Sequence, residues 1–481
     1  MTTRFDRRRF LASSAVASFG LLGASRARAA SPNGKLRVLC VGVVGTIGES
    51  DRRNVASHPE VEIAGLCDVD SNFLAKAAGE HPKAFTCRDY REAFDKHADK
   101  FDAVTVATPD HTHARIVLTA MAHGKHVYGQ KPLVHQLAEL VMIEHAIKAK
   151  PELATLLGNQ RMSSISRRLA LEILKQDRLG KILSIHAWTS SGAPGDGWYN
   201  AERVLHANPE IPANLDWNLW LGPCAPMPYH DAIVPMKWRS WWEFGSGGFG
   251  DWGCHLLDLP FLAYPELTSP YSVMTECPIP PDKHFHSPAC KSVMQYKVDS
   301  PRFAGKTVTV NYNHPSLRPK PDELRLKEWS GSGTMSAIVG ENATLMVDPE
   351  GSSRLWRDGK WEDGTRLEGL PKLEGFNHWH TWVDKCLGKA VEPLTPFSQA
   401  VKITEATILG VKASRFPGQE LLWDKAGLRF TNHQEATDTI IRRLPRGLRA
   451  TTRRLKTPGR RRPRLISLTN GRAGFLVLPE T

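Results

Sequence analysis

The chain has 481 residues, 41% of them hydrophobic and 23% charged. That is too long for a single core and ordinary for a globular protein of two domains with extensions. The formal charge of +13 suggests a nucleic-acid binder until it is located. Residues 1–30 carry +5 and residues 442–481 carry +11, which leaves the body between them at −3. The basic excess therefore says nothing about the substrate, and no nucleic-acid partner is expected. Eight cysteines without C-x-x-C pairs argue against a zinc knuckle or a dense disulfide framework. One bridge between Cys277 and Cys290 stays open.

In chain order, the first feature is an address. Asp6-Arg7-Arg8-Arg9-Phe10-Leu11-Ala12 resembles a twin-arginine export motif. It is followed by an apolar run from Ala15 to Ala24 and a small-x-small site at Ala27-Arg28-Ala29. The run is shorter than the ~20 residues of a membrane-spanning helix, so no stable membrane insertion is expected. Residues 1–30 are set aside as a signal peptide, and a periplasmic location is expected.

From 31 to 160 the pattern predicts a Rossmann domain. Strands are predicted at 36–44, 61–67, 102–107 and 125–128, and helices at 46–58, 72–79 and 114–123. Buried apolar runs alternating with helices imply a parallel, doubly wound sheet, with its ligand crevice at the carboxyl ends of the strands. Gly42, Gly45 and Gly48 fall at the first strand-to-helix turn. There a bare backbone can approach a pyrophosphate, and the helix amino terminus faces its charge. Asp68 ends the second strand, where a carboxylate accepts from ribose hydroxyls and repels a 2′-phosphate. The cofactor read from these residues is NAD rather than NADP.

Several blocks then appear in order: Ala107-Thr108-Pro109 with His113, Gly129-Gln130-Lys131-Pro132-Leu133, Leu215-Asp216-Trp217 with Trp220-Leu221-Gly222-Pro223, Gly250-Asp251-Trp252-Gly253-Cys254-His255 with Asp258, and Thr404-Glu405-Ala406 with Leu409-Gly410. Together they resemble the glucose-fructose oxidoreductase/inositol dehydrogenase (Gfo/Idh/MocA) family over roughly residues 35–441. The resemblance implies an α/β protein. A second domain, 161–441, would carry a large, mostly antiparallel sheet and the site for a sugar, cyclitol or glycoside. It also implies that Thr46, Ile47, Thr108, Pro109, His113, Gln130 and Lys131 join the glycines and Asp68 around the cofactor. Dimers or tetramers are the family's habit. Two departures stand out: Ile47 and Ser50 occupy positions where the commoner pattern has Gly, and Gln130 stands where a Glu usually precedes the lysine.

Oxidising a carbinol needs a base for the hydroxyl proton while hydride leaves carbon. By resemblance Lys131 is the catalytic lysine, placed at a strand end before a proline. Asp251 and His255 lie four apart, one turn of a helix expected to begin near Asp251, so both project from one face. His255 suits general acid–base work near neutral pH. Gln160, Arg239 and Trp242 are further substrate candidates. Trp238, Arg239, Trp241 and Trp242 could form an aromatic, cationic wall for a pyranose ring. His378 and His380 have metal-like spacing but no nearby partners, and no metal is expected. An enzyme that oxidises and then reduces its sugar on one held NAD, as a glycosidase or epimerase, is an alternative, as is a non-catalytic sugar binder.

A helix is expected around 435–443. Beyond it the Arg- and Pro-rich composition of 442–481 argues for disorder and against a packed element. Trimming the chain after Arg443 is expected to leave folding and activity unchanged; loss of soluble protein on expression would refute that.

Overall fold

A computed structural model describes residues 34–190, 209–314, 317–329 and 333–441, together with the backbone of two short tail strands. The signal-like segment 1–30 lies outside the described residues, as does nearly all of the tail. Within the tail, Leu465–Ser467 and Phe475–Val477 pair antiparallel.

The first sheet is wholly parallel. Its strands are β1 (Leu36–Val41), β2 (Val61–Cys67), β3 (Phe85–Cys87), β4 (Ala103–Val106), β5 (His126–Gly129) and β6 (Thr155–Leu157), in the order β3-β2-β1-β4-β5-β6. Burial on both faces explains why β1 and β4 read as nearly continuous apolar runs, broken only by Arg37 and Thr105. Between the strands run α1 (Gly48–Ala56), α2 (Ser71–Glu80), α3 (Tyr90–His97), α4 (Asp110–Ala122) and α5 (Leu137–Ala149). Asp70 and Asp89 cap α2 and α3 by accepting from backbone N–H groups of their first turns. The strand order reverses between β1 and β4, so the ligand crevice of this architecture opens there. Helix α4 starts at Asp110, ahead of the predicted 114, which puts His113 on its first turn.

The second sheet has ten strands. After α6 (Ile165–Lys175) come β7 (Ile182–Trp188), the short α7 (Trp217–Leu221), α8 (Gly247–Ala263), β8 (Ser272–Glu276), β9 (Lys291–Lys297) and β10 (Thr307–Asn313). Then follow β11 (Met335–Gly340), β12 (Thr344–Val347), β13 (Ser353–Arg357), β14 (Lys360–Asp363), α9 (His378–Cys386), α10 (Phe397–Ala413), β15 (Glu420–Asp424) and β16 (Arg429–Phe430). The order is β14-β13-β12-β11-β7-β10-β9-β8-β15-β16, with only β7 and β10 parallel. The architecture expected from the resemblance is thus the one found.

The chain also returns to its first domain. Trp382 and Val383 of α9 pack with Leu36, Val38 and Tyr128, and Phe397 and Val401 of α10 pack with Leu133 and Leu157. The predicted helix at 435–443 is a single turn, Gln434–Thr437, in the described residues. All eight cysteines, Cys277 and Cys290 included, are thiols.

One buried ion pair ties α8 to the rest of the second domain. Arg167 on α6 and Asp258 on α8 are both fully buried and in direct contact. Arg167 also donates to the carbonyls of His255 at 3.0 Å and Asp348 at 3.2 Å. Removing one partner strands a buried charge, whereas removing both does not. Arg167→Met is therefore expected to cost about 3–5 kcal/mol in chemical denaturation, with most of it recovered in R167M/D258L.

Candidate active site

At the switch point Gly42 has φ +80°, and a Cβ there would sit 2.6 Å from the Ala107 carbonyl oxygen. Only glycine fits, so β1 and β4 present bare backbone at the crevice floor. Gly42 N–H donates to the Cys67 carbonyl at 2.9 Å, and Val43 N–H donates to Asp68 Oδ2 at 3.0 Å. Asp68 thus ties the glycine turn to the end of β2. Burial raises its carboxyl from 3.8 to about 6, against the opposing hydrogen bonds from Asp70 and Val43.

A cavity of about 560 Å³ runs from this turn into the second domain. Gly42, Gly45, Thr46, Ile47, Asp68, Thr108, Pro109, His113, Gln130 and Lys131 line it from the first domain. Gln160 lines it from the last residue of that domain, and Trp238, Arg239, Asp251 and His255 line it from the second. Three expected residues do not line it: Gly48, Trp241, which is fully buried, and Trp242. A Cβ on Gly48 would lie 2.4 Å from the Gly42 carbonyl oxygen, so Gly48 serves the close packing of α1 on the glycine turn. Trp242 is turned into the core, its indole N–H donating to the Asp282 carbonyl at 3.1 Å and its ring 3.7 Å from His286. Of the proposed aromatic wall, Trp238 faces the cavity, with Arg239 stacked on its ring at 4.2 Å.

Lys131 lies two residues beyond β5, at a cis bond to Pro132. Its ammonium contacts the Asp251 carboxylate directly, which closes the two domains over the cavity. Asp251 and His255 share one face of α8, as the spacing predicts. The helix begins one turn earlier, at Gly247, through a glycine run whose composition reads as loop. His255 is 6% exposed. Burial first, then the charges of Lys131 and Arg161, hold its ring well below the ordinary imidazole value, so it is neutral at physiological pH. Its Nδ1 and the Oε1 of Gln160 are buried without a protein hydrogen-bond partner. They are the positions from which substrate hydroxyls could be held.

Asp110 escaped the sequence reading. It opens α4, is 6% exposed, lines the cavity, and its carboxyl is raised by burial against the pull of His113 and Arg239. An acid in a first helical turn is commonplace, so no local signal marked it. A strap from the second domain was also missed. Ser71 N–H donates to the Asn214 carbonyl at 2.8 Å, Asp216 N–H to the Val69 carbonyl at 3.0 Å, and Asn214 Nδ2 to Asp70 at 2.7 Å. The strap brings Leu215, Leu219 and Trp220 over the cavity beside Asp68.

His378 and His380 do not converge on a metal. The first bonds the Leu157 carbonyl at 3.1 Å and the second the Ser57 hydroxyl at 2.8 Å. Among the described residues His58, Glu60 and Asp384 do cluster, but Lys389 bridges the two carboxylates and His58 Nδ1 accepts the Glu60 N–H.

A parallel sheet in this order, a glycine turn at its switch point and a strand-end carboxylate define a dinucleotide-binding Rossmann domain. Comparison with known proteins narrows this. The model of the oxidoreductase family, NAD-binding Rossmann fold, matches residues 36–156, and that of the same family's C-terminal alpha/beta domain matches 171–299. The chain belongs to the Gfo/Idh/MocA oxidoreductase family. Inositol 2-dehydrogenase of Gluconacetobacter diazotrophicus is 29% identical over 187 residues, 38% of this chain and 54% of that protein. Levoglucosan dehydrogenase of Pseudarthrobacter phenanthrenivorans is 25% identical over 40% of each. Glycosyl hydrolase family 109 protein 2 of Akkermansia muciniphila is 26% identical over 31% of this chain and 33% of that one. These matches span about half of the curated relatives' length or less. Among solved structures, an inositol dehydrogenase homolog of Azotobacter vinelandii, complexed with NADH and myo-inositol, shares the fold. Its TM-score is 0.54, with 17% identity over 81% of this chain and 98% of that one. Among the described residues no helix is long and apolar enough to cross a membrane.

Because the free Asp68 carboxyl ionises near 6, a ribose that binds its ionised form must displace a proton below that pH. NAD affinity is expected to be flat above about 6 and to weaken by up to ~10-fold per unit below it. Titration calorimetry across pH checks this: Asp68→Asn should bind more weakly and lose the dependence, and an unchanged profile would remove Asp68 from the ribose site.

Proposed function

We propose that the protein transfers hydride between a hydroxyl-bearing carbon of a sugar, cyclitol or glycoside and NAD. One observation carries this reading: Lys131 from the first domain meets Asp251 and His255 from the second on a cavity that also contains the glycine turn. Gly42, Gly45, the amino end of α1 and Asp68 suit a dinucleotide, and NAD bound there supplies a hydride acceptor. The remaining work falls to side chains. The Lys131 ammonium polarises the reacting oxygen and stabilises alkoxide charge as the proton leaves. Neutral His255 accepts that proton at Nδ1, the ring nitrogen no protein group engages. Asp251 fixes the lysine, and Gln160 holds a neighbouring hydroxyl. Asp68 supports NAD over NADP.

A redox-neutral cycle is the second reading, and the strap favours it. Hydrogen bonds from Asn214 and Asp216 fasten second-domain chain across the Asp68 end of the cleft, an arrangement suited to retaining cofactor through many turnovers. The export-like segment at 1–30 supports a periplasmic setting, where free NAD is scarce. Assembly as a dimer or tetramer is part of the same proposal.

The test is a panel of myo-inositol, levoglucosan and 4-nitrophenyl pyranosides with NAD. Net NADH supports the dehydrogenase, while nitrophenol without NADH supports the held-cofactor cycle. Lys131→Met is expected to lower turnover about 10²–10³-fold and His255→Asn about 10²–10⁴-fold, with NAD still bound. Full activity in both variants would move the chemistry to a different site, whereas NAD binding with no turnover of any panel member would leave a binding protein.

A further inference from the structure

The residue before Lys131 is Gln130, so the carboxylate usual at that position in the family is absent. A carboxylate nevertheless stands one hydrogen bond behind it. Asp51, in the first turn of α1, is 1% exposed and accepts the Gln130 amide on Oδ2 at 2.8 Å. Its Oδ1 accepts the Trp379 indole N–H at 2.8 Å and the Tyr128 hydroxyl at 3.4 Å. All three donors are neutral. The neighbouring Arg52 is directed elsewhere, to the Val43 carbonyl and to Glu80. Gln130 is itself held. Its Oε1 accepts the Lys131 backbone N–H at 3.3 Å, and a Cβ on Gly158 would lie 2.5 Å from its amide nitrogen. Burial raises the Asp51 carboxyl to about 6, against the opposing hydrogen bonds from Gln130, Trp379 and Tyr128 and, last, the Lys131 charge.

We propose that Asp51 is a positioning residue for Lys131: it locks the Gln130 amide and supplies from α1 the negative charge that position 130 lacks. The inference rests on Lys131 being the catalytic lysine. It goes beyond that reading by moving a charge normally adjacent to the lysine onto the dinucleotide-binding helix.

The geometry allows a reciprocal exchange as the test. In D51N/Q130E, the amide oxygen introduced at position 51 still accepts from Trp379 and Tyr128, and its NH₂ group donates to the carboxylate introduced at position 130. Every hydrogen bond survives, and the charge moves one bond nearer the amine. In D51N alone, two amide NH₂ groups face each other and the charge is gone.

With NAD and the best member of the inositol, levoglucosan and pyranoside panel, D51N is expected to lower kcat about 10-fold with KM values moved less than about 2-fold, and D51N/Q130E to return kcat to within about 3-fold of wild type. Without any sugar, acylation of Lys131 by acetic anhydride, read by peptide mass spectrometry, should be faster in D51N than in the wild type or the exchange variant. Wild-type kcat and labelling in D51N would overturn the proposal. So would an exchange variant that regains the wild-type melting temperature but not kcat, since Asp51 would then serve folding alone. Lys131→Met separates the two levels. Normal turnover there defeats the catalytic-lysine reading itself, whereas an inactive K131M beside an unaffected D51N defeats only the role given to Asp51.

Discussion

The contact between Lys131 and Asp251 joins the loop after β5 in one domain to a helix of the other across the cavity. Both side chains are largely but not wholly buried, at 15% and 18% exposure. Desolvation offsets much of the attraction in such a pair, so its value is positional rather than a large gain in stability. Further hydrogen bonds supply the rigidity around it. His135, in the loop after Lys131, and His286, before β9, both bond the Gly245 carbonyl at 2.8 Å. Lys412 on α10 donates to Gln136 at 2.8 Å. The lysine loop and the entry to α8 are therefore held to each other and to the late helix.

The cleft and its supports collect groups that resist their charged forms. Burial raises the carboxyls of Asp51, Asp68, Asp110 and Asp258, and it keeps His255 neutral. Each of these carboxylates has its own compensation: side-chain donors for Asp51, backbone amides for Asp68, the charges of His113 and Arg239 for Asp110, a guanidinium for Asp258. Perturbed groups gathered around one lysine in a cleft are the pattern expected of a functional site.

Much of this was legible before any coordinates. Strands buried on both faces appear as largely apolar runs, so β1, β4 and β5 could be read directly, and β2 from its apolar carboxyl half. The Asp251–His255 pair needed only the helical repeat. The short β3 had too little pattern to be seen. The glycine run at 245–248 hid the first turn of α8, because its low helix propensity is overridden by packing.

Local pattern by itself therefore determined the parallel domain, the glycine turn, the strand-end carboxylate and the one-turn spacing of the acid and the histidine. These depend on residues within a few positions of one another, where backbone geometry leaves few choices. Only the tertiary structure decided that Trp238 faces the cavity while Trp242 enters the core, that α9 returns to brace Asp51 through Trp379, and that Asp110 joins the site. Those outcomes hang on contacts between residues far apart in the chain, and no period along it encodes which distant side chain will fill a given space.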